Sequence, residues 1–250
     1  MDSTDRASLI RDKYGGDAAA DLTEDTARLE SGEPLAYVIG WVPFMGLRIL
    51  LDSRPLIPRP ETEWWTEELI KHLKERFGDR AFRLLDLCAG SGAIGLAVAA
   101  RFPRAEVTLA ELIPAHVAQI SRTLAENGLD EARARIIESD GFDALAGTDF
   151  PFDVIVSNPP YVPTGRALEP SVTGHEPSEA LYSGADGLDL IRRIAREIPA
   201  HIAPGGEAWL ECDISNIDEA KELLLAGGAS SAFIRTDLYG RPRIVVGYYA

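Results

Sequence analysis

The fold of this chain is decided by residues 82–102, which read FRLLDLCAGSGAIGLAVAARF. The first six letters form a short apolar run typical of a buried strand, and the last eleven have the composition of a buried helix. Between them, Gly90 and Gly92 permit a tight turn and a close approach of another group to the backbone. A strand, a glycine turn and a helix in this order predict a nucleotide-type cofactor loop in a doubly wound α/β domain.

The alternation of strand and helix continues toward the C-terminus. Predicted strands are EVTLAE at 106–111, ARIIES at 134–139, FDVIVS at 152–157 and GEAWLEC at 206–212, with predicted helices at 115–128, 188–202 and 217–227. Strands that are separated by helices pair in parallel, because the helix returns the chain to the same edge. The last two runs, at 232–238 and 243–249, are too close for such a crossover and predict an antiparallel edge pair.

Two other segments precede this alternation. Residues 1–33 predict a short helical segment. Residues 34–59 predict a β-hairpin and connector, in which YVIGWVPF and GLRILL are strands joined by a turn at Met45 and Gly46. Residues 60–250 then form the main α/β domain, beginning with a helix over ETEWWTEELIKHLKERF.

Composition and charge narrow the classes of partner. The chain has 250 residues, a formal net charge of −15 and no run of basic residues, which disfavours a nucleic-acid backbone as a ligand. No apolar run approaches the ~20 residues of a membrane span, and the N-terminal residues lack the apolar core of a signal peptide. Cys88 and Cys212 are too few for a disulfide framework. We expect a cytoplasmic protein with no direct nucleic-acid partner and no membrane partner.

The glycine turn admits two kinds of adenosine-containing ligand. Gly90, Gly92 and Gly95 satisfy the pattern of dinucleotide enzymes, in which a pyrophosphate lies at the helix N-terminus. Asp86, just upstream, opposes a pyrophosphate and favours the cationic methionine end of S-adenosylmethionine. Glu111 ends the next strand, nineteen residues after Gly92, where a carboxylate accepts hydrogen bonds from the ribose hydroxyls of either ligand.

A third loop at the same predicted edge carries Asp140, Gly141 and Phe142. The carboxylate of Asp140 is placed to accept a hydrogen bond from an adenine amino group, and Phe142 to pack on the adenine ring. A turn with a core phenylalanine is an equally good interpretation of these three residues.

Asn158, Pro159, Pro160 and Tyr161 directly follow the predicted strand FDVIVS. The prolines fix φ and remove two backbone donors, so carbonyl groups face the pocket without competing N–H groups. The side-chain oxygen of Asn158 and a proline carbonyl can each accept one hydrogen from a planar –NH₂ group, against which Tyr161 supplies a flat face. Such acceptors hold a weakly nucleophilic nitrogen in line with a methyl donor and stabilise the positive charge that develops on it. We therefore predict methylation of a planar amide or amine nitrogen, with no metal and no general base.

Together these motifs resemble the HemK/PrmC family of release-factor glutamine methyltransferases, from about Gly32 to the C-terminus. The resemblance rests on GEPLAYVIG at 32–40, LIPRPETE at 56–63, DLCAGSGAIG at 86–95, SNPPY at 157–161, EPSEAL at 176–181, GADGLDLIRRI at 184–194, APGGEAWLE at 203–211 and DLYGRPRIVVG at 237–247. It implies a seven-stranded, Rossmann-like class I methyltransferase sheet, mostly parallel with an antiparallel edge strand.

The family resemblance also assigns roles to residues. It implies that S-adenosylmethionine is the methyl donor, S-adenosylhomocysteine the product and a peptide-chain release factor the protein substrate. The residues that would line the cofactor are Cys88, Ala89, Gly90, Ser91 and Gly92, with Glu111 at the ribose and Gly141 beside the adenine. Asn158 would touch both cofactor and substrate, and the segment 158–161 would hold the glutamine side chain in the GGQ motif.

One departure from the family and two alternative functions accompany this prediction. About thirty residues precede GEPLAYV, fewer than the helical bundle with which family members usually begin, so we expect a weaker grip on the release factor. An adenine-N6 nucleic-acid methyltransferase also uses an NPPY segment, and a non-catalytic module would keep the cofactor pocket. The net charge disfavours the first, and the intact segment 158–161 disfavours the second.

Overall fold

The computed structural model describes residues 1–145 and 151–250. Its N-terminal part is helical: α1 spans Ser3–Ser8 and continues into a π-helical turn at Leu9–Lys13, and α2 spans Thr23–Glu30. The hairpin that follows consists of β1 (Trp41–Phe44) and β2 (Leu47–Leu50), paired antiparallel. Its turn is formed by Met45 and Gly46, with φ values of 51° and 82°, as the sequence predicts.

The strand predicted at YVIG, before the hairpin, is wrong. Residues Leu35–Ile39 form a short helix, α3, which begins after Pro34 and ends at Gly40. Gly40 adopts φ 94°, a left-handed conformation that suits glycine and stops a helix. The buried Tyr37 hydroxyl donates to the carbonyl oxygen of Pro55 at 2.7 Å, a contact with the connector that local strand propensity does not reveal.

The rest of the chain alternates between helix and strand, as the sequence predicts. The elements in chain order are α4 (Pro60–Phe77), β3 (Arg83–Leu87), α5 (Ala93–Arg101), β4 (Glu106–Glu111), α6 (Pro114–Glu126), β5 (Ala134–Glu138), β6 (Phe152–Ser157), α7 (Pro170–Thr173), α8 (Asp189–Glu197), β7 (Ile202–Glu211), α9 (Ile217–Ala226), β8 (Ser231–Thr236) and β9 (Pro242–Tyr248). Single turns of 3₁₀ helix lie at Glu131–Arg133, Asp143–Leu145, Ser178–Ala180 and Ile198–Ala200.

In the described residues β3 to β9 form a seven-stranded sheet with the order β5-β4-β3-β6-β7-β9-β8. The five strands from β5 to β7 pair in parallel, and β9 pairs antiparallel with both β7 and β8. This confirms the predicted fold class, including the antiparallel edge. The chain leaves β3 toward one edge of the sheet and later returns to β6 on the other side of β3. A ligand crevice is expected at such a switch point, beyond the carboxyl ends of β3 and β6.

Helices bury both faces of this sheet. On one face Trp65 and Leu69 of α4 pack with Val98 of α5 and Ile120 of α6 in a single apolar cluster. On the other face α8 and α9 cover a second cluster around Ile191. Each Å² of apolar surface removed from water stabilises the fold by about 25 cal/mol. The two packed faces therefore give the loops at the carboxyl edge a rigid support.

Candidate active site

A cavity opens at the carboxyl edge of the sheet, at the predicted switch point. The space between its wall atoms is about 960 Å³, part of it open to solvent. The lining residues that the sequence predicts are Cys88, Ala89, Gly90, Ser91, Glu111, Asp140, Gly141, Asn158 and Pro160. Loops after four different strands therefore meet at one place. Of the predicted site residues, Asp86, Gly92, Phe142, Pro159 and Tyr161 are not part of this lining.

The loop after β3 brings its backbone close to the cavity. Cys88 has φ 60° although it is not a glycine, and Gly90 has φ 56°. The Ala89 N–H donates to the carbonyl oxygen of Ala110 on β4 at 3.0 Å, which fixes the loop to the neighbouring strand. Burial, followed by the nearby Glu111 charge, raises the pKa of the Cys88 thiol to about 12. The thiol is therefore protonated at neutral pH and is not a nucleophile.

Gly92 is not part of the cavity wall, and it allows α5 and α6 to pack closely. It begins α5 with φ 79°, and a Cβ atom there would lie 2.9 Å from the Ile120 side chain of α6. That distance is shorter than a carbon–carbon contact allows. The requirement for glycine at this position comes from the close approach of two helices, which supports the loop from behind.

Glu111 is the best-oriented acidic group in the cavity. Its carboxylate is buried and accepts hydrogen bonds from the backbone N–H of Gly90 at 2.7 Å and of Ile113 at 2.9 Å. A carboxylate offers about four acceptor positions. The remaining positions can accept the two hydroxyl hydrogens of a ribose, so Glu111 lies where the sequence predicts a ribose contact.

Asp86 is not part of the cavity wall. Its side chain is 1 % exposed and points under the loop, where one carboxyl oxygen accepts the Gly95 N–H of α5 at 2.7 Å. Burial raises the pKa of this carboxyl to about 7, although the Gly95 hydrogen bond lowers it. Asp86 lies inside β3, two residues before the cavity-lining Cys88, and is not itself part of the cavity wall. Asp86 holds the start of α5 through the Gly95 N–H.

The loop after β5 contributes Asp140 and Gly141 to the cavity wall. Asp140 lines the cavity, but its carboxylate pairs with the Arg193 guanidinium at 2.5 Å. That guanidinium covers Gly141, where a Cβ atom would lie 3.3 Å from its central carbon. Phe142 is buried and stacks on His201 with 4.5 Å between ring centroids, so it belongs to the core. Arg193, on α8, was not predicted, and it occupies the place where a larger side chain at 141 would stand.

The loop after β6 places two of its four predicted residues at the cavity. Asn158 and Pro160 line it, whereas Pro159 is buried behind them. The Tyr161 hydroxyl donates to Glu211 Oε1 at 2.9 Å, and the ring packs against the core. Burial, followed by the Glu211 charge, raises the pKa of Tyr161 well above its ordinary value. Tyr161 therefore stays protonated, and its hydroxyl anchors the loop to Glu211 at the end of β7.

A buried network that the sequence analysis missed holds this loop. Glu211, at the end of β7, is 1 % exposed and accepts from Thr62 Oγ1 at 2.8 Å and from Trp65 Nε1 at 2.7 Å through Oε2. Thr62 Oγ1 in turn is 3.4 Å from Asn158 Nδ2. Thr62 lies in the motif LIPRPETE and Glu211 in the motif APGGEAWLE. Both motifs are part of the family resemblance, but the sequence does not indicate that the two residues are in contact.

The connector and the loop before α8 close the other side of the cavity. Glu176, in EPSEAL, accepts the Ile57 N–H at 3.2 Å and pairs with the Arg59 guanidinium at 2.6 Å. Pro58 and Pro177, next to these residues, line the cavity. Two motifs more than a hundred residues apart therefore form one wall. This pairing was also missed, because a single sequence gives no sign of which distant segments meet.

Metal binding and membrane spanning can be examined in the part of the chain that the structure describes. Within residues 1–145 and 151–250, no group of three or more His, Cys, Asp or Glu side chains is arranged to hold a metal ion. The same part of the chain has no helix long and apolar enough to cross a membrane. Cys88 and Cys212 are free thiols.

The sheet order, the Cys88–Ser91 loop and the Glu111 carboxylate together define a class I S-adenosylmethionine-dependent methyltransferase. Residues 63–175 match the family model described as methyltransferase small domain. The fold is similar to that of the 16S rRNA N2 G1207 methyltransferase of Thermus thermophilus, solved with AdoMet and guanosine. That likeness has a TM-score of 0.58 and 22% identity, and covers 84% of this chain and 50% of that one. A methyltransferase from Pyrococcus furiosus is similar with a TM-score of 0.57 and 18% identity, covering 90% of this chain and 98% of that chain.

Sequence relatives are more specific. The chain is 39% identical to the release factor glutamine methyltransferase of Deinococcus radiodurans over 243 residues, covering 96% of this chain and 84% of the relative. It is 40% identical to the enzyme of the same name from Bordetella pertussis over 223 residues, covering 89% and 80%. The chain belongs to the release factor glutamine methyltransferase family, as the motifs predict.

Proposed function

We propose that this protein transfers a methyl group from S-adenosylmethionine to the side-chain amide nitrogen of a glutamine in a peptide-chain release factor, at its GGQ motif. The observation that carries the proposal is that one cavity joins Asn158 and Pro160 to the Cys88–Ser91 loop and Glu111. We name the Cys88–Ser91 loop and Glu111 the donor half of the cavity. The acceptor half consists of Asn158 and Pro160 together with Thr62 and Glu211.

The donor half fits an adenosyl ligand. Glu111 has acceptor positions left for ribose hydroxyls, and the backbone at Cys88 and Gly90 approaches the cavity in left-handed conformations. Leu112 and Ile113 give an apolar wall beside Glu111, which suits an adenine ring. Bound S-adenosylmethionine supplies an electrophilic methyl group, and these residues determine where that group lies.

The acceptor half fits an amide. The lone pair of an amide nitrogen is delocalised, so the site must raise its reactivity by orientation and by stabilising charge. The Asn158 side-chain oxygen and a carbonyl oxygen of the proline pair accept the two amide hydrogens and turn the nitrogen toward the methyl group. As the bond forms, positive charge grows on the nitrogen, and these two acceptors stabilise it. A proton then leaves the methylated nitrogen to solvent, and no strong base is needed.

The exposed loops at the carboxyl edge of the sheet, which we name the rim, support a protein substrate. Leu112, Ile214, Leu238 and Tyr239 are exposed apolar side chains that all lie in loops beyond the carboxyl ends of strands. Apolar groups at a rim favour a protein surface, and a chain of net charge −15 repels a phosphate backbone. We therefore infer that the substrate is a protein and that nucleic acid is not a direct partner.

Methyl transfer from a labelled donor to four candidate acceptors tests the proposal. Intact release factor should take up one methyl group per molecule, and the same factor with its GGQ glutamine replaced by asparagine should take up none. Transfer RNA and duplex DNA serve as the alternative acceptors. Uptake by an adenine-containing nucleic acid with none into the factor would establish the adenine-N6 activity instead.

A further inference from the structure

We propose that Thr62, held by Glu211, is a positioning residue that determines which way round the Asn158 amide faces the cavity. The inference rests on the proposed function, because it assigns a cause to the orientation that Asn158 needs there. All three side chains belong to different elements: Thr62 is in the first turn of α4, Glu211 ends β7, and Asn158 follows β6.

Thr62 has a single hydroxyl hydrogen to donate. Glu211 Oε2 is an acceptor, and it lies 2.8 Å from Thr62 Oγ1. The hydroxyl therefore donates its one hydrogen to Glu211 and can only accept from another neighbour. That neighbour is the amide of Asn158, and only the amide nitrogen has hydrogens to donate. This sequence of hydrogen bonds turns Asn158 Nδ2 toward Thr62 Oγ1, at 3.4 Å, and leaves Asn158 Oδ1 for the cavity.

The direction of the amide matters because its two ends have opposite roles. With Oδ1 free, Asn158 accepts a hydrogen from a glutamine –NH₂ group. Rotated by half a turn, it would present its own –NH₂ group to that of the substrate, and two donors would face each other. At 3.4 Å the contact with Thr62 is longer than an ordinary N–H···O hydrogen bond. It therefore adds little binding energy, and its main effect is to set the orientation of the Asn158 amide.

Glu211 is itself prevented from turning. Besides Thr62, its carboxylate receives the indole N–H of Trp65 at 2.7 Å and the hydroxyl of Tyr161 at 2.9 Å. Burial raises the pKa of Tyr161, so this hydroxyl keeps the proton that it donates. Thr62 and Glu211 are both buried, and Thr62 also lines the cavity, so the Thr62 hydroxyl reaches Asn158 at the cavity wall.

Three substitutions on one helix test the proposal. Thr62→Val keeps the shape of the side chain and removes the hydroxyl, and we expect kcat to fall by about tenfold, since misplacing a reacting group costs up to about a hundredfold. The affinity for S-adenosylhomocysteine and the KM for release factor should change less than threefold. Thr62→Ser, which keeps the hydroxyl, should restore most of kcat.

Thr66→Val is the matched control. It removes a buried hydroxyl one helical turn away, which donates to the Thr62 carbonyl oxygen at 2.7 Å and does not bond to Asn158. It should lower Tm to a similar extent as Thr62→Val and leave kcat unchanged. If Thr62→Val does not fold, Thr62→Ala, which puts no methyl group next to Glu211, takes its place in every comparison.

A double-mutant cycle with Asn158→Ala separates positioning from general support. If Thr62 acts only through Asn158, adding Thr62→Val to Asn158→Ala should lower the residual rate by less than twofold. A full tenfold loss in that background, or a loss of kcat as large in Thr66→Val, would overturn the proposal. If Asn158→Ala alone kept its activity, the proposed role of Asn158 would fail first, whatever Thr62→Val does.

Discussion

The donor half of the cavity is held by near neighbours in the sequence, and the acceptor half by distant ones. Glu111 accepts from the N–H groups of Ile113 and Gly90, which are two and twenty-one positions away. Thr62 is 96 positions from Asn158 and 149 from Glu211, and it contacts both. The donor half also uses backbone N–H groups, whereas the acceptor half depends on side chains that hold one another.

This difference suggests how each half responds to change. The bond from the Ala89 N–H to Ala110 ties the Cys88–Ser91 loop to β4 whichever side chain is replaced, so substitutions in the donor half should mainly weaken ligand binding. A network of side chains loses its geometry when one member is removed, because the remaining buried polar groups are left unpaired. Substitutions in the acceptor half should therefore lower kcat at nearly unchanged ligand affinity.

The largest effect is expected for Asn158→Ala, in the acceptor half. Loss of one preorganised polar group in a transition-state site lowers turnover by roughly 10²–10³-fold. The affinity for S-adenosylhomocysteine should change little, which calorimetric titration measures beside kcat. The fold should persist because Asn158 lies on a loop. Activity within threefold of wild type would remove Asn158 from the proposed mechanism.

A smaller and opposite pattern is expected for Glu111→Ala, in the donor half. Two hydrogen bonds to a ribose are lost, each worth about 1.5–3 kcal/mol when the acceptor is charged. We expect the Kd for S-adenosylhomocysteine to rise by at least about a hundredfold and kcat at saturating donor to fall less. Glu138→Ala, which removes the exposed carboxylate in register with Glu111 on β5, is the control and should bind normally. If both variants lost the same affinity for S-adenosylhomocysteine, the cause would be the change in net charge and not the loss of a ribose contact.

The third prediction concerns pH and the support beneath the donor half. The pKa of Asp86 is raised by burial from 3.8 to about 7. Between these values the folded protein keeps a proton that the unfolded chain has lost. The free energy of unfolding should therefore fall as pH rises through this window, by at most about 1.4 kcal/mol per pH unit from this group. Above pH 7 its contribution should level off.

Asp86→Asn tests that prediction, since the amide oxygen can still accept the Gly95 N–H but does not titrate. Denaturant unfolding at several pH values between 4 and 8 should show the slope in wild type and a flatter curve in the variant. Asp153→Asn, at an aspartate that accepts the Arg83 N–H at 2.8 Å, is the control and should keep the wild-type slope. A wild-type slope in Asp86→Asn would mean that Asp86 is not the group responsible.

The smallest effect is expected at the rim. Asp237 accepts the N–H groups of Tyr239 and Arg241, and Arg241 lies over the Tyr239 ring, so the tip of the β8–β9 turn is rigid. Arg241 also pairs with Glu61, next to Thr62, at 3.0 Å. Tyr239→Ser should raise the KM for intact release factor by about tenfold, a plausible share for one interface aromatic. It should leave the KM for a short GGQ peptide unchanged.

Phe233→Ser, at an exposed aromatic in the middle of the β8 edge strand, is the control for the rim. It should change neither KM. If Tyr239→Ser weakened peptide and intact factor equally, the turn would act on the cavity itself and not on the surrounding surface.

The contrast between the halves also explains what could be predicted from the sequence. The doubly wound sheet, the hairpin turn and the positions of Glu111 and Asn158 follow from local patterns of strand, glycine and proline. Asp86, Phe142 and Tyr161 lie outside the cavity wall, which the sequence does not show because a motif places a residue near a site without showing where its side chain lies. Thr62, Glu211 and Glu176 were missed as partners because their contacts join distant segments.

The most direct test of the central claim is to locate the methyl group. Release factors from cells with and without this protein would be digested and analysed by mass spectrometry, beside purified factor treated with wild type and with Asn158→Ala. The account predicts one added methyl group on the side-chain nitrogen of the GGQ glutamine, present only where the wild-type protein acts. A methyl group on another residue type, or an unchanged GGQ glutamine in cells that contain the protein, would contradict it.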